Sequence, residues 1–466
     1  MAREITAEEI AAVNDHVARA RAAMAAIAHY DQATVDRIIR AVAWAGGNET
    51  TAIKLANMSV DESGMGGREP TRRGKVLGIL RDALRQKSMG IIEEDLAKGI
   101  VKYAKPAGVI ASLVPVTSPY VTPIGIAIYA IKAKDAVIFS PHPGSRKTTL
   151  ETVRVLRAAL KKLGVPEDVL QCVEKPSIPL ANYLMSSCDL TLATGGPAMV
   201  KAAYSSGKPA YGVGAGNATM VIDETADVAE AARNSRISKT NDNGSGCSAD
   251  GNLIIDASIY DAFKAKFQEE GGYLVEGEEK VRLRNIYWDA EGHRTDNTIA
   301  RPAADVAKLA GITLPAGKTF LMVEEDQIGK QHPFSTEKLG IVITLFKAHG
   351  FDDALDKVRQ IYETGGRGHS CGIYSFNDDH IHRLAMMAPV SRIMVRQIQS
   401  RANAGTFTNG MPMTSSMGCG IWGGNITNEN VALKHYLNIT WVSRPIPEDR
   451  PSDEELFGEF YNSEIF

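Results

Sequence analysis

Residues 103–143 read YAKPAGVIASLVPVTSPYVTPIGIAIYAIKAKDAVIFSPHP. Two short apolar runs, Val109-Ile110 and Ala136-Val137-Ile138-Phe139, flank a helical stretch at about 121–133. Apolar, β-branched runs bounded by Gly and Pro read as buried strands, so the stretch is one strand–helix–strand unit. The rhythm then repeats. A helix over about 147–163, with Val153, Leu156, Leu160 and Leu163 on one face, stops at Gly164-Val165-Pro166. A short strand around 169–174 and a further helix lead to Asp189-Leu190-Thr191-Leu192-Ala193, a turn at Gly195-Gly196 and a helix opened by Pro197. Strands alternating with helices of this length predict parallel βαβ units and a doubly wound α/β sheet.

Upstream, residues 6–48 carry alanine-rich helical patterning that Thr6 and Glu9 open as a capping box. DESGMGGREP (61–70) is a turn-rich break, and another helical run reaches about Lys87. Downstream, helical runs at 258–270, 302–310 and 351–363 alternate with strands around 319–323 and 341–346, which predicts a second α/β unit. In HYLNITWVSRPIP (435–447), Leu437, Ile439 and Trp441 alternate with polar neighbours, the pattern of an edge strand able to pair with another subunit. An acidic tail follows from Glu448.

A chain of 466 residues is too long for one core. With 52 basic against 55 acidic residues the net charge is −3, without long runs of either sign, so neither nucleic acid nor an anionic membrane is the expected partner. The cysteines are Cys172, Cys188, Cys247, Cys371 and Cys419. An odd count without a C-x-x-C pair argues against a disulfide framework or a metal site and fits a reducing cytoplasm. MAREITAEEIAAV lacks a secretory layout, and no segment approaches 18 uninterrupted apolar residues.

The stretch that carries chemistry is KTNDNGSGCSADGNLIID (239–256). Gly244, Gly246 and Gly251 keep it out of a helix interior, where each glycine costs about 1 kcal/mol relative to alanine. It is therefore a loop, anchored on the buried strand Leu253-Ile254-Ile255. A cysteine among glycines has little side-chain cover, and neighbouring N–H groups can face a developing oxyanion. A free cysteine is more often an inert buried group, so Cys247 needs further support. Two loops are candidates for phosphate, SPHPGSRK (140–147) and TGGP (194–197), because each follows a strand and opens a helix. The G-x-G-x-x-G fingerprint is absent from both, and GVGAGN (212–217) precedes the strand Met220-Val221-Ile222 and not a helix.

The segments KTNDNGSGCSADGNLIID, ATGGPAMVKAAYSSGKPAYGVGAGN (193–217), STEKLG (335–340), GGRGHSCGIYS (365–375) and SSMGCGIWGGNITNENV (415–431) together resemble the CoA-acylating branch of the aldehyde dehydrogenase superfamily. Within it, the chain is most similar to the succinate semialdehyde and sulfoacetaldehyde enzymes. The resemblance implies two doubly wound parallel-sheet domains and a small oligomerisation strand element. Residues 1–240 would bind the nicotinamide cofactor, with part of the oligomerisation element near 100–119. Residues 241–430 would be catalytic, and 431–466 would hold the oligomerisation strand and tail.

It also implies site roles. Cys247 is the nucleophile and His369 its catalytic partner. Cofactor contacts fall at Thr117, Ser140, Pro141, His142, Pro143, Thr194, Gly195, Gly196, Gly214, Glu337 and Leu339, with Glu337 on the nicotinamide ribose. Hydrolytic relatives carry a glutamate base in the strand-turn matching 211–217, where this chain reads YGVGAGN. Without a base to activate water, a thiol acceptor, coenzyme A, is the chemical expectation. Thr117 stands where hydrolytic relatives place an asparagine that donates to the oxyanion. Arg146-Lys147 suit a 2′-phosphate, so the cofactor is NADP or NAD. Arg396 and Arg401 are candidates for an acidic group on the substrate. The expected partners are a small aldehyde, CoA and further copies of the chain, as homodimer or homotetramer. Two rivals remain: a hydrolytic aldehyde dehydrogenase, and a non-catalytic scaffold or shell-cargo protein of the same fold.

Overall fold

The computed structural model describes residues 3–69 and 72–462. Pro70 of the predicted break and residues 463–466 of the predicted tail lie outside the described residues. Strands β1 (Gly90–Asp95) and β2 (Ile100–Pro106) form an antiparallel hairpin. A five-stranded parallel sheet follows, from β3 (Val109–Val114), β4 (Ala136–Pro141), β5 (Leu170–Cys172), β6 (Leu190–Thr194) and β7 (Ala210–Val213). A seven-stranded parallel sheet takes β8 (Thr219–Ile222), β9 (Asn252–Asp256), β10 (Gly272–Leu274), β11 (Phe320–Glu324), β12 (Val342–Ala348), β13 (Cys371–Tyr374) and β14 (Ile393–Val395). The last strand, β15 (Leu437–Ser443), returns to pair with β2.

The 103–143 unit folds as its pattern predicts. β3 and β4 are buried at every position, and so is every residue of the helix Val121–Ala133 between them. A helix apolar on all sides has no face to give to water and sits inside. Ile110, Val137, Phe139, Leu156 and Leu190 pack in one core with Ile39, Val42 and Leu55 of the N-terminal helices, and with Leu433 and Tyr436. A second core gathers Leu253, Ile255, Phe263, Phe320 and Val342.

The N-terminal pattern divides into helices Ala7–Ile27 and Gln32–Gly47, because Asp31 caps the second by accepting from the Thr34 N–H at 2.8 Å. The chain leaves the five-stranded sheet and enters the other within 214–218, upstream of the 240/241 boundary read from the sequence. The segment from 431 likewise begins inside the first core before it becomes the exposed edge strand β15. Among the described residues no helix is long and apolar enough to cross a membrane.

Strand order in the smaller sheet is β5-β4-β3-β6-β7, so the winding reverses between β3 and β6. The larger sheet runs β10-β11-β12-β9-β8-β13-β14. Residues 214–218 carry the chain from the carboxyl end of β7 to the amino end of β8, which sets those two edges against each other.

Ile138 is 0 % exposed in β4. Ile138→Ala is expected to cost about 2–5 kcal/mol, read in urea as a lower midpoint at unchanged slope. A loss under about 1 kcal/mol would show that this strand is not central to the core.

Candidate active site

The helix Val228–Thr240 ends in a single turn, Asn241–Gly244, in which Asp242 and Asn243 take φ of 48° and 53°. Left-handed residues reverse the chain here and deliver it to Cys247. Arg72 pins the turn from outside. Its guanidinium pairs with the Asp242 carboxylate and donates to Ser245 Oγ at 2.8 Å and to the Thr117 carbonyl at 2.7 Å. Cys247 is half-buried. Its backbone N–H has no acceptor among the described residues, which leaves it for an oxyanion.

His369, 1 % exposed, reaches the same point from the loop before β13. Its Nε2 lies 2.9 Å from Cys247 Sγ, and its Nδ1 lies 2.8 Å from Ser370 Oγ. A protonated thiol donates to Nε2, which places the imidazole hydrogen on Nδ1, facing Ser370. Burial pushes the Cys247 thiol up to about 12, and Glu337 adds to the rise while Lys75 and Arg392 oppose it. Burial holds His369 down to about 3, with Arg392 adding to the fall. At neutral pH the pair is therefore thiol and imidazole, not thiolate and imidazolium.

Beside the thiol is a cavity of about 10 Å³, room for one water, lined by Cys247, Asn217, Lys239, Glu337 and Leu339 among others. Glu337 accepts from the Gly216 N–H at 3.0 Å, with Arg294 Nη1 3.6 Å from its other oxygen. Burial raises its carboxyl to about 7. Lys239 is 1 % exposed, and burial lowers its amine to about 7. Gly216 lets these groups meet: a Cβ there would stand 2.1 Å from the Cys247 carbonyl oxygen and 3.3 Å from His369 Cγ. Gly368 makes a similar backbone approach, its absent Cβ 1.8 Å from the Cys419 carbonyl oxygen.

Thr117 and Gly214 follow β3 and β7, while Ser140 to Pro143 and Thr194 to Gly196 run from the last residues of β4 and β6 into the turns beyond, all at the carboxyl edge of the five-stranded sheet. Those after β3 and β6 flank the point of strand reversal, where such sheets receive ligands. The helix Pro197–Tyr204 starts at Gly196 without a side-chain cap, and a Cβ on Gly196 or Gly214 would meet nothing within 4 Å. A dinucleotide's phosphates fit this open helix end. The 140–147 turn is different. Glu62 accepts from the N–H groups of Lys147 at 2.7 Å and Thr148 at 2.8 Å, so that helix end is taken by a carboxylate and does not offer the phosphate site expected from sequence. The groups around the thiol come from the opposite kind of edge: Gly216, Cys247, Glu337 and His369 precede β8, β9, β12 and β13 at the amino edge of the larger sheet.

Residues 2–282 match the model of the aldehyde dehydrogenase family. The chain is 43% identical to a sulfoacetaldehyde dehydrogenase of Acholeplasma sp, over 96% of this chain and 93% of that one. It is 40% identical to a sulfoacetaldehyde dehydrogenase (acylating) of Bilophila wadsworthia, over 96% and 98%. The solved acetylating aldehyde dehydrogenase of Geobacillus thermoglucosidasius superposes with a TM-score of 0.91 at 33% identity, covering 96% of this chain and 99% of that one. The chain belongs to the aldehyde dehydrogenase family, in its acylating branch.

An acylating aldehyde dehydrogenase is an oxidoreductase that leaves its product as an acyl-CoA thioester. Its chemistry needs a nucleophile, a proton acceptor and an acyl-transfer path that shuns water. A thiol and an imidazole, the chemical types of the first two, stand 2.9 Å apart here. The structure does not bring Arg396 or Arg401 to the cavity: both are exposed, and the Arg396 guanidinium lies 4.0 Å from the Phe376 ring centre. The cations that line the cavity are Lys239 and Lys338, while Lys75 and Arg392 act on the thiol electrostatically and Arg72 pins the turn before it, none of them singled out from sequence. The run Arg72-Arg73-Gly74-Lys75 was a visible signal, and Lys239 opens the cysteine motif itself.

Gly216→Ala is expected to displace the Cys247 carbonyl and lower kcat/KM about 100-fold or more in a protein that remains folded by circular dichroism. Activity within threefold of the parent would mean that the contact does not position the thiol.

Proposed function

We propose that Cys247 attacks a short, acid-bearing aldehyde, with His369 Nε2 taking the thiol proton as the S–C bond forms. The Cys247 N–H faces the resulting oxyanion. A bound nicotinamide dinucleotide supplies the acceptor for the hydride that leaves this carbon, and a Cys247 thioester remains. His369, having passed its proton to solvent, takes the proton of the CoA thiol as that sulfur attacks the thioester and Cys247 departs. The balance is aldehyde, CoA and NAD(P)+ to acyl-CoA, NAD(P)H and one proton. Glu337 and Leu339 would hold the nicotinamide end, and the loops after β3, β4, β6 and β7 the rest. Arg146 and Lys147 favour the 2′-phosphate of NADP, while the Glu62 carboxylate on the same turn favours NAD.

One observation carries the preference for CoA over water: the imidazole at 2.9 Å from the thiol is a ready base, and Glu337, the one carboxylate lining the cavity among the described residues, is held by Gly216 and Arg294. The rival in which Glu337 activates water draws on the same residue's rise to about 7. Aldehyde and cofactor supplied without CoA separate the two. We expect one burst of NAD(P)H per active site and then a steady rate under about 1% of that with CoA; equal steady rates would establish the hydrolytic reading.

The acid group of the substrate, a sulfonate or carboxylate, we place against Lys75, with Arg72 behind it. Burial and Arg72 lower the Lys75 amine to about 8, while Cys247 and Asp242 pull it back up, so the ammonium, on the first turn of the helix Arg73–Leu84, is within electrostatic reach of the thiol. Lys75→Met is expected to raise KM for sulfoacetaldehyde or succinate semialdehyde about tenfold or more and to leave propanal nearly unchanged. In the parent, the same KM should climb above pH 8 as the ammonium loses its proton. Equal changes for charged and neutral aldehydes would remove this assignment.

The exposed edge of β15, with Trp441 at 61 % and Val442 at 39 %, suits pairing with a second copy as homodimer or homotetramer in the cytoplasm.

A further inference from the structure

Arg392 directly precedes β14 and is 5 % exposed. Its Nη1 donates to the His369 carbonyl at 3.0 Å, and its Nη2 to the carbonyls of Gly418 at 2.6 Å and Asn428 at 3.1 Å. It therefore ties the loop that carries His369 to the two arms of the segment 415–430. Every acceptor is a neutral carbonyl, and Nε has no partner among the described residues. A guanidinium does not shed its proton in a protein, and a buried cation without a carboxylate is costly. The ionisable groups it acts on are the thiols of Cys419 and Cys247 and the imidazole of His369.

A clip for three loops needs donors but not a charge. A charge that no acid cancels has a use where negative charge appears during reaction and a neighbouring imidazole must stay unprotonated until then. We propose that Arg392 is the positioning residue of the Cys247–His369 pair, holding His369 from behind while its uncancelled charge adds to burial in keeping the imidazole neutral and serves as counter-charge to the Cys247 sulfur. The other groups acting on that sulfur are Glu337 and Cys419, which oppose its ionisation, and Lys75, which favours it. The step is a proton transfer from Cys247 Sγ to His369 Nε2 as the S–C bond forms; Arg392 exchanges no proton. The inference rests on the reading of Cys247 and His369 as the reacting pair.

Alkylation of Cys247 by iodoacetamide, followed against pH, isolates the charge, because its rate follows the thiolate fraction. Arg392→Gln keeps donors for the carbonyls and removes the charge; Arg392→Lys keeps the charge and loses the fork. We expect the glutamine variant to have its alkylation profile displaced upward by about one pH unit, a tenfold slower reaction at fixed pH, and the lysine variant to keep the parent profile within a few tenths. A purely structural clip would lower kcat in both variants and displace neither profile, and that result would overturn the proposal. Should the glutamine variant not fold, nitrogen NMR of His369 in the parent decides. An imidazole neutral down to pH 5 supports the proposal, and one that protonates near pH 6.5 overturns it. Alkylation of Cys247 that left activity intact would instead sink the reacting pair itself, a failure distinct from either.

Discussion

Where Gly216 carries a hydrogen, any other residue would set a carbon against the backbone of Cys247 and the ring of His369. The rest of the site depends on that vacancy. Gly216 stands in the connection between the two sheets, and its N–H also holds Glu337. One backbone position thus fixes the distance between the sheets at the cavity and the places of thiol, imidazole and carboxylate. Close-packed interiors transmit such a constraint because neighbouring loops have little room to yield.

The electrostatics of the site follow from its dryness. Burial alone pushes thiol and imidazole toward their uncharged forms. The surrounding charges then bias the pair: Lys75 and Arg392 favour a negative sulfur, and Glu337 opposes them. The chain as a whole is net negative, yet Lys239 and Lys338 line this pocket and Lys75 and Arg392 act on its thiol. Net charge describes solubility and long-range attraction; the sign of a buried pocket is set by the few groups that face it.

Parallel sheets usually present ligands at their carboxyl edges, and the winding of the five-stranded sheet reverses between β3 and β6. The larger sheet contributes its amino edge, because the short passage at 214–218 leaves one sheet at a carboxyl end and enters the next at an amino end. Loops before β9, β12 and β13 thereby face the loops after β3 and β6. The carboxyl-end rule, applied to the sequence, pointed to the loops 140–147 and 194–197 and had no means of finding the edge that carries Cys247 and His369.

Local pattern by itself determined the alternation of strand and helix from Val109 to Tyr204, the buried helix over 121–133 and the loop character of the stretch around Cys247. Each is a matter of periodicity or of glycine within a few residues, and these act without distant partners. Short elements such as β10, β13 and β14, three or four residues each, left no period to read. The roles of His369 and Glu337 came only through family resemblance. Tertiary structure alone decided that Arg72 reaches Ser245, that Arg392 holds His369, that Glu62 closes one helix end, and that Arg396 and Arg401 face outward. Those outcomes depend on strand order and on which loops approach backbone to backbone, and no short window of sequence contains that information.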